Sequence, residues 1–118
     1  MRELKFRGRN RQSQEWFYGN LIQFDGGSCA INDIIVDPDT IGQYTGLCDK
    51  NGKEIYEGDI VKYYDDIEDE LVLGEVYYDP DVCSFLIRRK YTDNDKLTVY
   101  WQHEVVSNIH DNPELLST

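Results

Sequence analysis

Long apolar runs are missing from this sequence. No segment approaches the roughly 20 apolar residues that a membrane-spanning helix needs. The first twelve residues, MRELKFRGRNRQ, contain no apolar run at all, so a secretory leader is not expected either. Proline is scarce, three residues against nine Gly, and turns should therefore be glycine turns. Cys29, Cys48 and Cys83 stand 19 and 35 residues apart, which is the spacing of neither a metal knuckle nor a redox motif. Their odd number argues against a disulfide framework and predicts buried or half-buried thiols in a reducing cytoplasm. Helical periodicity is also absent, since no window of twelve residues keeps apolar positions at i, i+3 and i+4. Positive charge is short: 12 Lys and Arg face 23 Asp and Glu, for a net charge of −11. Nucleic acid repels such a chain unless its cations gather on one face. Neither a phosphate-cradling glycine loop with its lysine nor a nucleophile elbow occurs, and no cofactor is expected.

What is plentiful is aromatic and β-forming. Nine Tyr, four Phe and two Trp accompany many Val and Ile, which favours strands. The 118 residues fit a single domain, with N-terminal strands over residues 1–40, a barrel-like core over 41–112 and a tail over 113–118. Leu4 and Phe6 alternate with charges in a first short strand. Trp16-Phe17-Tyr18 and Leu21-Ile22-Gln23-Phe24 flank Gly19-Asn20 and read as a hairpin, and CAINDIIV over 29–36 reads as one apolar stretch. Asn51-Gly52 predicts a type I′ turn. GDIVKYY, LVLGEVYY, CSFLIRR and LTVYW, the last at residues 97–101, read as strands, with a further short strand before Pro113 and a short helical turn after it. The prediction is a mainly β fold, with short or no helices. The rhythm of the second half suggests an SH3-like barrel or a related open barrel.

Three motifs resemble the YopX family of phage and prophage proteins. MRELKFR opens the chain, GQYTGLCDKNGKEIYEGDIV occupies residues 42–61, and VVSNIHDNPELL occupies 105–116. The match spans essentially the whole chain. Cys48 stands where Lys is commoner, Ser107 where Gly is usual, and Arg7-Gly8-Arg9-Asn10 departs from the continuation of the first motif. The resemblance implies a small, largely β protein from temperate phages of low-GC Gram-positive bacteria. It supplies no activity, so the motif residues Gly42, Tyr44, Gly46, Asn51, Gly52, Tyr56, Gly58 and Asp59 are assigned structural roles: turns, core plugs and the start of a strand.

Few positions have the residues that chemistry needs. Counted from Asp49, a calcium loop would need oxygen ligands at positions 3 and 5, Gly at 6 and Glu at 12. Here Gly52 is at 4, Lys53 at 5 and Ile60 at 12, so the pattern fails. Asp59, between Gly58 and Ile60-Val61, is the best candidate for acid–base work. The simpler reading is an aspartate bonded to its own turn backbone. His103 and His110 read as surface or interface histidines, and no metal site is expected. The sequence predicts a protein without catalytic residues.

Binding offers more. Residues 1–15 carry Arg2, Lys5, Arg7, Arg9 and Arg11 against Glu3 and Glu15, a local balance of +3 that leaves −14 for the remainder. Lys5, Arg7, Arg9 and Arg11 could form a basic stripe for phosphates, or simply the solvated side of an edge strand. Residues 65–70, DDIEDE, place Asp65, Asp66, Glu68, Asp69 and Glu70 at a solvated tip that suits a basic partner or mimicry of DNA. Tyr63-Tyr64, Tyr77-Tyr78 and Tyr100-Trp101 put adjacent aromatics on opposite faces of strands, so one of each pair looks outward. The expected role is a cytoplasmic phage accessory protein that binds a host or phage protein, with self-association open. The alternatives are nucleic-acid binding through the basic strand and, more remotely, an activity at Asp59.

Overall fold

The computed structural model describes residues 3–89, 95–96 (backbone only) and 102–116. Strands dominate these residues, and no α-helix occurs among them, so the mainly β character expected from the composition is the one adopted. Two compact units divide the chain, residues 1–46 and 47–118.

In the first unit, β1 (Phe6–Arg9) runs antiparallel between β2 (Trp16–Gly19) and the start of β6 (Gly42–Cys48). A separate antiparallel sheet contains β3 (Leu21–Gln23), β4 (Cys29–Ile31) and β5 (Ile34–Val36), with β4 central. Cys29, Ile31 and Val36 form the core, and Phe6, Phe17, Leu21 and Ile41 pack against it. The two layers touch at Gly8, where a Cβ would lie 2.8 Å from Val36 Cγ2, so only glycine fits. A 3-10 turn at Pro38–Thr40 ties the end of β5 to β1: the Thr40 hydroxyl accepts from the Arg9 N–H at 2.9 Å and donates to the Asp37 carbonyl at 2.6 Å.

Two local expectations are corrected in this unit. Gly19-Asn20 does not join a hairpin, because β2 pairs with β1 while β3 pairs with β4. The chain changes layer there, which lets Phe17 and Leu21 enter the same core from different sheets. CAINDIIV, in turn, is two strands. Asn32 and Asp33 both take positive φ, +53° and +66°, the pattern of a type I′ hairpin turn. Their short polar side chains tolerate this conformation, but without glycine the turn leaves little trace in the sequence.

The second unit begins within β6. After β7 (Glu54–Tyr56), the strands β8 (Asp59–Asp65), β9 (Glu70–Asp79), β10 (Ser84–Arg88), β11 (Asp95–Lys96) and β12 (Glu104–Asn108) form one antiparallel sheet in the order β11-β10-β9-β8-β12. The register sets Val61 opposite Gly74 and Val105, Tyr63 opposite Val72, and Val76 opposite Ile87. Those residues share a face, and Val61, Tyr63, Val76 and Ile87 close a core with Ile55. The expected strand over 97–101 lies outside the described residues. Of Asn51 and Gly52, only Gly52 has positive φ, +84°, so the type I′ expectation is corrected. The turn is instead closed by Gly52 N–H to Asp49 C=O at 3.0 Å, with the left-handed residue after the tight corner.

The third sequence motif proves to be a fastening. β12 bulges between Val105 and Ser107, and the Ile109 N–H then donates to the Gly58 carbonyl at 2.8 Å. Asn108 Oδ1 accepts from the His110 and Asp111 N–H groups at 2.9 Å each, and a 3-10 turn follows at Pro113–Leu116. Asn108 thus ends the strand by offering the backbone a local acceptor.

Candidate functional site

β8 and β9 form a hairpin whose pleat sorts the aromatic residues. Tyr63 faces inward and is buried, 5.0 Å between ring centroids from His103, whereas Tyr64 is 41% exposed. Tyr78 is exposed and meets the edge of Phe85 at 5.2 Å. Tyr77 is half-buried beneath the Arg88 guanidinium, 4.0 Å from the ring centroid, and its buried hydroxyl has no hydrogen-bond partner among the described residues. Trp101 lies outside those residues. Of the aromatic residues expected at a contact, Tyr64 and Tyr78 are exposed, and Tyr63 belongs to the core.

The tip of this hairpin is rigidly based. Asp65 Oδ1 accepts from the Ile67 and Glu68 N–H groups at 2.9 and 3.2 Å, while Oδ2 accepts from Arg89 Nη1 at 2.6 Å. The Asp65 and Arg89 side chains are only 13% and 12% exposed. The Glu68 amide, then the Ile67 amide and Arg89, hold the Asp65 carboxyl below its ordinary value against the opposing effect of desolvation. Asp65 is accordingly a turn anchor. Asp66, Glu68, Asp69 and Glu70 stay exposed, with Asp69 left-handed at φ +55°. Among them Ile67 is 93% exposed, and Leu71, cross-strand neighbour of Tyr64, is 64% exposed. Three apolar side chains thus line a tip that also carries four solvated carboxylates.

The basic residues of the N-terminus are placed differently from a solvated stripe. Arg7 is 4% exposed, with its guanidinium 4.8 Å from the Trp16 ring, and Arg9 lies 5.8 Å from the same ring. Lys5 pairs with Glu3 at 3.3 Å and lies 5.6 Å over Tyr44. Arg11 pairs with Asp37 at 3.1 Å; that hydrogen bond raises the Arg11 pKa and, with the Asp39 amide, lowers that of Asp37. Cation–π contact, which favours the planar guanidinium, accounts for Arg7 in an interior position.

The motif residues do structural work. Gly42 is buried opposite Arg7, Tyr44 is half-buried, and Tyr56 is buried in the second unit. Gly46 and Gly58 take φ of +90° and +88°, while Asn51 is exposed at its turn. Asp59 is 1% exposed, and its Oδ2 accepts from the Tyr56 N–H at 2.7 Å across the Gly58 turn. Asp49, which the sequence brings forward only as the first position of a failed calcium loop, proves to be a junction. Its Oδ1 accepts from Asn51 and Lys53 at 2.8 and 2.9 Å, and its Oδ2 from the Val105 N–H at 2.9 Å, 56 residues away. Desolvation, the largest influence, pushes its pKa up, but these three donors together outweigh it and hold the carboxyl below 3.8.

A cavity of about 230 Å³ beside this junction gathers Cys48, Asp49, Lys50, Gln102 and His103. Cys48 and His103 are 55 positions apart, so no spacing rule could have joined them. His103 is 3% exposed, which corrects its reading as a surface residue. Its carbonyl accepts from the Lys50 N–H at 2.9 Å. No group of three or more His, Cys, Asp or Glu that could hold a metal occurs among the described residues. Nor is any helix among them long and apolar enough to cross a membrane.

Comparison with known proteins agrees with the arrangement of motifs. The chain is similar to the crystal structure of protein EF1440 from Enterococcus faecalis, with 26% identity, a TM-score of 0.62, and coverage of 98% of this chain and 99% of that one. No curated protein matches the sequence. A family model described as YopX protein matches residues 5–117, nearly the whole length. The chain belongs to the YopX family.

Proposed function

We propose that this protein is a non-enzymatic phage or prophage accessory protein that acts in the bacterial cytoplasm by binding another protein through the β8–β9 hairpin. The observation that carries the reading is the tip itself: Ile67, 93% exposed, projects among four solvated carboxylates on a base pinned by Asp65 and Arg89. An apolar side chain held in water gains free energy when a pocket takes it up. The surrounding carboxylates select a pocket with a basic rim and speed the encounter. A central apolar anchor suits a protein pocket better than mimicry of a phosphate backbone would. Nucleic-acid binding has less support, because Lys5, Arg7, Arg9 and Arg11 already have aromatic or carboxylate partners. Catalysis has less still, since Asp59 engages its own turn.

The test is affinity capture from bacterial lysate, split into nuclease-treated and untreated halves, with wild type beside Ile67→Asp and the charge-neutralised tip Asp66→Asn, Glu68→Gln, Asp69→Asn. The expected result is one protein retained in both halves, lost with Ile67→Asp and weakened at least tenfold with the neutralised tip. Retention of the same set by all variants refutes the assignment. So does a signal confined to the untreated half, which would move the contact to nucleic acid.

A further inference from the structure

The two faces of the β8–β9 ribbon are unlike each other. Toward the core, Val61 and Tyr63 stand opposite Gly74 and Val72, and Asp65, the next residue on that side, is taken by Arg89 at 2.6 Å. On the other face the same register sets Lys62 opposite Leu73 and Tyr64 opposite Leu71. The inner end of this face is closed, since Ile60 is fully buried and its cross-strand neighbour Glu75 half-buried. The outer end is open: Leu71 is 64% and Tyr64 41% exposed, and Ile67 stands beyond them at the tip. These three side chains leave on the order of 300–400 Å² in water, a patch size that on a monomer commonly marks a contact.

Backbone, size and charge together choose the occupant. β8 and β9 pair with each other from Ile60–Glu75 to Asp65–Glu70, so this face offers side chains and no free N–H or C=O. An extended segment laid on it would bury its own backbone groups unpaired, whereas a helix arrives with them already bonded. Successive rungs on one face are about 7 Å apart, so the strip from Lys62 to Ile67 runs about 15 Å, the length of about ten helical residues. The exposed area is well under the about 800 Å² a side of a standard interface, which suits a single helix and not a whole domain surface. Asp66, Glu68, Asp69 and Glu70 crowd the outer end. At the inner end Lys50 and Lys62 share the one carboxylate of Glu104, at 3.7 and 3.5 Å, which leaves a positive charge over. The strip is thus negative at one end, apolar in the middle and positive at the other. A helix is its electrostatic complement, because its N-terminus is positive and its C-terminus negative.

We propose, taking the hairpin as the contact, that this face receives an amphipathic helix of about three turns from the partner protein. Its apolar stripe lies on Leu71 and Tyr64 and reaches Ile67. Its N-terminal end, carrying Lys or Arg, meets the acidic tip, and its C-terminal end points to Lys62. So small a contact gives a dissociation constant on the order of 1–100 µM.

The test is selection of displayed random peptides of about 16 residues on the immobilised protein, followed by fluorescence anisotropy with a labelled peptide of the enriched sequence. The expected sequences keep apolar residues at i, i+3, i+4 and i+7 with Lys or Arg toward the N-terminal end. Leu71→Asp and Tyr64→Asp should each weaken the labelled peptide at least tenfold, and Val82→Asp, at an exposed apolar position elsewhere in the unit, should not change it. Circular dichroism confirms that each variant is folded. No enrichment, enriched sequences with period-two alternation, or binding that survives both Leu71→Asp and Tyr64→Asp overturns the proposal. Loss with Ile67→Asp alone overturns it too, while leaving the tip as the contact. Loss with Leu71→Asp and Tyr64→Asp but not with Ile67→Asp supports the helix on this face and removes Ile67 as the anchor.

Discussion

Asp49 is the point where one side chain joins two distant segments, and its loss should be measurable as such. Asp49→Ala removes three charge-assisted acceptors and leaves the N–H groups of Asn51, Lys53 and Val105 without them. Bonds to a charged group contribute about 1.5–3 kcal/mol each when water cannot replace them. Asn51 and Lys53 are exposed and regain water, so only the Val105 bond counts in full, and the expected loss is about 2–4 kcal/mol. Asp49→Asn keeps Oδ1 for the turn but turns an amide donor toward the Val105 N–H, and should lose about 1–2 kcal/mol. Urea unfolding at constant m-value reads both. The pH dependence fixes the mechanism. Because the folded carboxyl titrates below its ordinary 3.8, its stabilising contribution is complete above that value and disappears as pH falls through the folded pKa. The gap between wild type and Asp49→Asn should therefore be widest at neutral pH and close in acid. Equal stability of wild type and Asp49→Ala at pH 7, or a gap that ignores pH, refutes the reasoning.

Two further predictions follow from the second unit. A Cβ at Gly74 would overlap Ile87 Cγ2, a fully buried methyl, so Gly74→Ala should cost about 1–3 kcal/mol by overpacking. Ile87→Leu, which removes that branch, should recover at least about 1 kcal/mol of the loss in the double variant, and strict additivity in a double-mutant cycle would refute the clash. Glu75 is the opposite of Asp49: burial raises its pKa above 4.5 and Arg88 offsets this only in part. Its folded form therefore favours the proton, and stability is lost as pH rises through the folded value. Glu75→Gln should gain less than about 1 kcal/mol at pH 7 and nothing in acid, as thermal unfolding at the two pH values would read.

Strands, turns and the mainly β class were legible because pleat alternation and glycine punctuation are local signals. Val61, Val76 and Ile87 follow period-two patterning within their own strands, whereas Tyr63, expected among the partner-binding aromatics, lies in the core. What failed was non-local or lacked a marker. The Asn32-Asp33 turn carries no glycine, and the layer change at Gly19-Asn20 depends on where Phe17 and Leu21 are needed. Arg7 looked solvated because charge predicts exposure, whereas its guanidinium rests on Trp16, a partner that only strand pairing supplies. Ligand spacing excludes Asp49 from a calcium loop, and its actual role needs Val105, which no local window contains. At the tip, the sequence showed the carboxylates but not their division of labour, because the Arg89 partner of Asp65 lies 24 residues on.

That division extends through the chain and separates carboxylates that close turns from carboxylates that face solvent. Asp37, Asp49, Asp59, Asp65 and Asp79 each accept a backbone N–H near the start of a turn or strand. These are short-range contacts that salt screens little, and the geometry they fix does not depend on the protein's net charge. The residues that do express that charge outward are others, among them Asp66, Glu68, Asp69 and Glu70 around Ile67, where screening acts fully. An acidic composition therefore has two sources in this fold. One set of carboxylates closes the turns of a proline-poor chain. The other surrounds Ile67, an apolar side chain that contributes nothing to the core, on the base that Asp65 and Arg89 fix, and the proposed recognition of a partner rests on this second set alone.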